Sequence, residues 1–283
     1  MKSPPNERYE NDPTPSREIV EAYRRAIEEE EDDSDASLSL VHYRGTRVEF
    51  DLGAEYAASA DPLDRITGAN ILSNLGGSQF DEDPTFVEES VAVLIPLLKD
   101  PDAKVVVNAA MALGRRADPS AVPHLIALEN HEDPDVRWAL AYSLDSTADD
   151  NEAAIAALIR LTKDPDDEVR DWALFSLGSQ HGTDTPAIRE ALFEGLGDSG
   201  AEARGEALVG LANRGDPRVE DAIVAELRKG NPTGSTFDAI GITRDPRWLP
   251  DLEKLLAKLP ARGSDDPFWA ELRKTIALCG TDG

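Results

Sequence analysis

The sequence holds a single cysteine, Cys279, so it forms no internal disulfide and no Cys-based zinc site. No histidine falls in the last hundred residues to serve as its base, so Cys279 reads as a small apolar residue of the last helix. Histidine is scarce too. His42, His124, His131 and His181 are scattered, and no H-E-x-x-H occurs. His124 and His131 stand seven apart, about 10 Å along a helix, too far to share a metal. Surface or capping histidines are expected. No Walker A loop and no G-x-G-x-x-G is present to cradle a phosphate. These absences leave no catalytic residue, no metal and no cofactor to assign.

Long hydrophobic runs are also missing. "VAVLIPLL" at 91–98 is the longest, far short of a membrane span. The opening "MKSPPNERYENDPTPS" has no apolar segment behind its lysine, unlike a secretory signal, so a soluble, cytoplasmic protein is expected. Aromatics make up only 6% against 40% hydrophobic residues, so Ala, Leu, Val and Ile must build the core, as in packed helices. Bases are in deficit: 29 Lys and Arg against 56 acids give a net charge of −27, and Arg far outnumbers Lys. The run "EEEEDDSD" at 28–35 holds only seven of those acids, so the excess is spread along the chain. Such a field repels phosphates and disfavours nucleic acid. It suits either solubility in the host or a cationic partner.

What the chain does have is a repeat. Val105, Val136, Val169 and Ala203 head "VVVNAAMALG", "VRWALAYSLD", "VRDWALFSLG" and "ARGEALVGLA", at separations of 31, 33 and 34 residues. A small or apolar residue follows each head at +4 (Ala109, Leu140, Ala173, Ala207) and a Leu at +8 (Leu113, Leu144, Leu177, Leu211). These spacings put all three on one helical stripe. Gly114 and Gly178 follow the Leu directly and read as helix stops. Between these segments lie other amphipathic stretches, such as "PSAVPHLIALENHED" and "NEAAIAALIRLTKD". Asp-Pro turns at Asp100, Asp133 and Asp164 join the two, with Asp before Pro expected to cap the second helix.

The unit "AVPHLIALENHEDPDVRWALAYSLD" resembles a HEAT repeat, in particular the HEAT-like repeats of the phycobilin (PBS) lyase type. The resemblance implies an all-α fold: a right-handed α-solenoid, or α/α superhelix, of about seven helical hairpins with the second helices on the concave side. It covers the solenoid, expected at 47–281; ahead of it the polar, Pro-rich start is expected to be a disordered tail at 1–15, and 16–46 an acidic N-terminal helix or cap. Ile19, Tyr23 and Ile27 or Ala26 are expected on the buried side of the first helix. "LSLVHYRGTRVEF" is expected to be helix or loop, "SQFDEDP" at 78–84 an insertion, and Phe268 and Trp269 buried in the closing helix. In such repeats the Arg after the head reaches an acid of the turn, so Arg137 is expected to meet Asp133 or Asp135, and Arg170 to meet Asp166 or Asp167. An Arg–Asp pair that recurs with the repeat is structural.

The aromatics at +2, +3 and +6 point away from the core stripe. Trp138, Tyr142, Trp172 and Phe175, with Met111, are expected to form an apolar floor in the concave groove, with Asp145 and Asp171 beside it. The other reading wedges Trp138 and Trp172 between helices as ordinary core. The expected function is a non-enzymatic scaffold that binds a peptide or protein, basic in character, with no nucleic acid and no membrane partner; the chain is expected to be a monomer. Neutralising a basic enzyme is a variant of that reading. The resemblance implies an alternative, a lyase-like protein acting on a tetrapyrrole bilin and its apoprotein.

Overall fold

Helix-starting chemistry recurs along the whole chain: an Asp or Thr whose side chain takes the first free amides, commonly with Pro in the first turn. The computed structural model describes residues 12–29, 34–76, 84–146, 151–229, 232–258 and 267–280, and every regular element among them is helical. The tail expected at 1–15 and the insertion expected at 78–84 fall largely outside the described residues. "LSLVHYRGTRVEF" is helical on both sides of Gly45.

The chain divides into two compact units, Met1–Ala154 and Ile155–Gly283. The first opens with α1 (Ser16–Glu28) and α2 (Ser34–Arg44). Three hairpins follow: α3 (Arg47–Ala57) with α4 (Pro62–Leu72), α5 (Val87–Leu97) with α6 (Ala103–Arg116), and α7 (Val122–Ile126) with α8 (Pro134–Asp145). The unit boundary falls inside α9 (Glu152–Leu161), which leads into α10 (Asp167–Phe175). Then come α11 (Pro186–Gly195) with α12 (Ala201–Asn213), α13 (Val219–Lys229) with α14 (Gly234–Thr243), and α15 (Leu249–Leu256) with α16 (Pro267–Gly280). Seven hairpins therefore run from α3 to α16. Within each unit the even-numbered helices pack side by side in chain order, α4–α6–α8 in one and α10–α12–α14–α16 in the other.

The core is the expected stripe. All four heads and their +4 and +8 partners are fully buried. At about 25 cal/mol per Å2 of apolar surface, this repeated burial is the main stabilising contribution. Gly114 and Gly178 differ from their expected role as helix stops. Gly114 lies inside α6, where a Cβ would sit 2.7 Å from the Cα of Ser143 on α8. A Cβ on Gly178 would sit 2.7 Å from the carbonyl oxygen of Glu206 on α12. Both let neighbouring helices approach, a demand set by packing rather than by helix termination.

The arginine ladder exists with different rungs. The cap residue just before each even helix is Asp61, Asp102, Asp133, Asp166, Gly200 and Thr233. In Asp100-Pro101-Asp102 and Asp164-Pro165-Asp166 the second Asp caps, not the first as expected. Asp133 and Asp166 spend their carboxylates on helix amides, so they do not meet Arg137 and Arg170. Four residues after the cap, Arg65, Arg137, Arg170 and Arg204 each turn Nη1 onto carbonyls of their own turn. In Arg65 and Arg170 the other edge of the guanidinium reaches forward. Arg65 grips Asp100 through Nε and Nη2 at 2.7 and 2.8 Å, and Arg170 grips Asp198 at 2.7 and 3.1 Å. Each acid sits two residues before the next cap and also accepts the cap residue's amide. A rung thus ties one repeat to the next.

One rung is missing on both sides at once. Val106 stands where α6 would carry the arginine, and His131 stands where its acid would be. His131 keeps the local half of the job, its Nδ1 accepting the Asp133 amide at 3.1 Å.

At the front, α1 buries Val20 and Tyr23, while Ile19, Ala26 and Ile27 stay half-buried, so Val20 replaces Ile19 on the core side. Arg24 ties α1 to Asp61 and Asp64. At the back, Phe268 meets Phe237 edge-on at 5.2 Å, yet Phe268 and Trp269 are only half-buried. Cys279 is buried in α16, which raises its thiol pKa. No helix among the described residues is long and apolar enough to cross a membrane.

Candidate functional site

Counting from the caps locates the surface of the even helices that turns away from the core. The heads lie at cap +3, +7 and +11; at 100° per residue, cap +5, +6 and +9 lie on the opposite side. The cap +9 row reads Asn70, Met111, Tyr142, Phe175, Val209 and Ile242. The cap +5 and +6 rows hold Asn108, Trp138, Asp171, Trp172, Glu206 and Asp238. Every sequence-predicted site residue falls on this register or, for Asp145, at the end of α8. Trp138, Tyr142, Trp172, Phe175, Met111, Asp145 and Asp171 are all half-exposed, and none belongs to the core.

In the first unit, Trp138 and Tyr142 stack on one another, one helical turn apart, with ring centres at 5.7 Å and planes 22° apart. Met111 lines a polar cavity of about 530 Å3 further up the same face. Its walls include Asn70, Asn74, Asn108 and Arg115 from α4 and α6, with Tyr23 and His42 from the N-terminal helices. His42 bonds the Asn70 carbonyl at 3.0 Å, and the Asn70 amide donates to the Tyr23 hydroxyl at 2.8 Å. This side of the even helices therefore passes from aromatic at α8 to amide-lined at α4.

In the second unit, Trp172 and Phe175 lie at 5.4 Å, their planes 55° apart. Asp171 precedes them. Its Oδ1 is buried and accepts no hydrogen bond among the described residues. Burial and then the charges of Glu206, Glu202, Asp198 and Asp167 push its carboxyl up to about 6. Glu206 takes a hydrogen bond from Ser179 at 2.8 Å. Further along, α12, α14 and α16 enclose a cavity of about 640 Å3 lined by Val209, Phe237, Asp238, Ile242, Glu271 and Leu278. Ile242 is 39% exposed.

Sequence reasoning alone passed over Glu206 and Ile242 as site residues, together with the asparagines of α4 and α6. The signal was available, since each occupies the register of Trp172 or Phe175. It was outweighed by the aromatic cluster of the central repeats, around which Met111, Asp145 and Asp171 were the other candidates. Among the described residues no group of His, Cys, Asp and Glu could hold a metal ion.

The sequence matches the family of HEAT repeats over residues 91–178 and 156–233, together just over half of the chain. Protein YibA of Escherichia coli K12 is 29% identical over 230 residues, 79% of each chain. The crystal structure of E. coli YibA matches with a TM-score of 0.67 at 23% identity, over 97% of this chain and 100% of that one, which is a likeness of fold. The CpcE–CpcF complex of phycocyanin lyase from Nostoc matches at a TM-score of 0.44 and 18% identity, over 99% of this chain and 98% of that one.

Proposed function

The chain belongs to the HEAT-repeat family, and on that premise we propose that it is a non-enzymatic scaffold whose even-helix face binds a cationic peptide or protein. The observation that carries this reading is Asp171. A half-buried carboxylate with an unpartnered oxygen, crowded by Glu206, is costly in the free protein. An arriving guanidinium or ammonium would relieve both the desolvation and the like-charge repulsion. The half-exposed rings of Trp172 and Phe175 beside it, and of Trp138 and Tyr142 in the first unit, supply apolar anchors and cation–π faces. A net charge of −27 adds attraction at long range, raising the association rate more than the final affinity.

The test uses alternating Arg/Leu and Lys/Phe decapeptides, with alternating Glu/Leu peptides as controls, titrated calorimetrically. Trp138→Ala and Trp172→Ala are expected to remain folded, since neither ring is in the core, and to weaken basic-peptide binding about 10-fold or more each. Unfolding of both variants would remove the floor assignment. Equal binding of basic and acidic peptides would remove the cationic partner.

A further inference from the structure

The ladder supplies a comparison within the molecule. Arg65, Arg170 and Arg204 occupy the same position, cap +4, and use Nη1 in the same way. The Nε/Nη2 edge of Arg65 holds Asp100, and that of Arg170 holds Asp198. On Arg204 that edge meets no acceptor among the described residues; Nη1 alone is bonded, to the carbonyls of Asp198, Ser199 and Gly200 at 2.8–2.9 Å. Two residues before the next cap, Thr233, the sequence reads Asn231 where the other rungs have Asp. An uncharged amide cannot supply the bidentate anion that the fork fits.

The fork does not face bulk solvent alone. Arg204 lines a cavity of about 350 Å3 in the second unit, bounded by α11, α12, α13 and the start of α14. Its apolar walls include Phe193, Leu196, Leu208, Ala222 and Ala225. Phe193 is 41% exposed, and the Arg218 guanidinium lies 4.4 Å above its ring. The other cations at the rim are engaged: Arg218 with Asp216 and Glu190, and Lys229 with Glu226. Among the described residues, Arg204 is thus the rim cation with an unused hydrogen-bonding edge, beside a largely apolar cavity.

The geometry points to this cavity as a binding site for a small amphiphilic monocarboxylate, its carboxylate completing the rung on Arg204 and its aryl or short alkyl body filling the apolar chamber. The volume lies at the low end of small-molecule pockets, roughly 300–1,000 Å3, and is too small for a peptide helix or strand. Asp221, at the rim and without an ion pair among the described residues, disfavours dicarboxylates and phosphates and favours a ligand of one negative charge. The site is separate from the even-helix floor and stands or falls independently of it.

The probe is 4-phenylbutyrate, with neutral 4-phenylbutanamide as control, titrated into the full chain by calorimetry and ligand-observed NMR. The acid is expected to bind at least about 10-fold tighter than the amide. Arg204→Lys, which keeps the charge and loses the fork, is expected to cost about 10-fold. Ala225→Trp, at an exposed wall position, is expected to block the chamber. Equal binding of acid and amide, or undiminished binding in both Arg204→Lys and Ala225→Trp, overturns the site. So does binding of a peptide C-terminal carboxylate without any binding of phenylbutyrate.

Discussion

Asp171 and Asp216 are opposite cases of one residue type, and each makes a signed expectation about pH. Asp171 ionises near 6 in the fold against 3.8 when free, so its charge disfavours the folded state above about pH 6 and is silent below about 3.8. Asp171→Asn is therefore expected to raise the melting temperature at pH 7 by about 2 °C, with the gain gone by pH 4. Asp216 is bound by the Nε and Nη2 of Arg218 and by the Arg218 amide, which holds its carboxyl down to about 2. Its contribution is complete above 3.8 and disappears as pH falls toward 2. Asp216→Asn is expected to lower the melting temperature at neutral pH, with wild type and variant converging near pH 2. Calorimetric melts across pH 2–8 decide both. The core residues at this scale were legible, because a stripe at 0, +4 and +8 leaves little freedom about what faces inward. Gly114 and Gly178 were not. Their role depends on how closely a neighbouring helix passes, which a glycine's place in its own helix does not encode.

At the scale of the helical hairpin, the ladder is what joins repeats beyond apolar burial. Arg170 and Asp198 form a largely buried, bidentate rung, with side chains 14% and 8% exposed. Arg170→Met is expected to cost about 2 kcal/mol, because Asp198 is left with its charge uncompensated; urea unfolding measures it. The vacant rung at Val106 and His131 gives the converse. Val106→Arg alone places an unpaired charge at a buried position of α6, and His131→Asp alone places one at a half-buried turn, so each should destabilise. The double variant should recover at least about 1 kcal/mol over their sum, read as a double-mutant cycle. The repeating Arg and Asp were visible in sequence, and so was their structural character. The pairing was not, because two acids flank each turn. Only the backbone shows that the second is consumed as a helix cap, leaving the first to reach the arginine of the preceding repeat.

At the scale of the whole chain, the acid excess and the patterned face belong to one reading: a repeat protein that presents carboxylates and aromatic rings to a basic partner. The repeat period and the helix pairs could be read in advance, and so could the side of the even helices on which the aromatic residues lie. The amide-lined stretch around Asn70 and Asn108 could not, since nothing distinguishes a floor asparagine from a solvated one until neighbouring helices wall it in. The most direct test is the affinity of the Arg/Leu decapeptide for the wild-type chain, measured across salt and pH. Binding should weaken steadily from 20 to 300 mM salt, and should weaken again as pH falls through about 6, where Asp171 takes up its proton. The pH step should vanish in Asp171→Asn. Affinity that is indifferent to salt, with the same pH profile in wild type and Asp171→Asn, would contradict the cationic partner and the part given to Asp171.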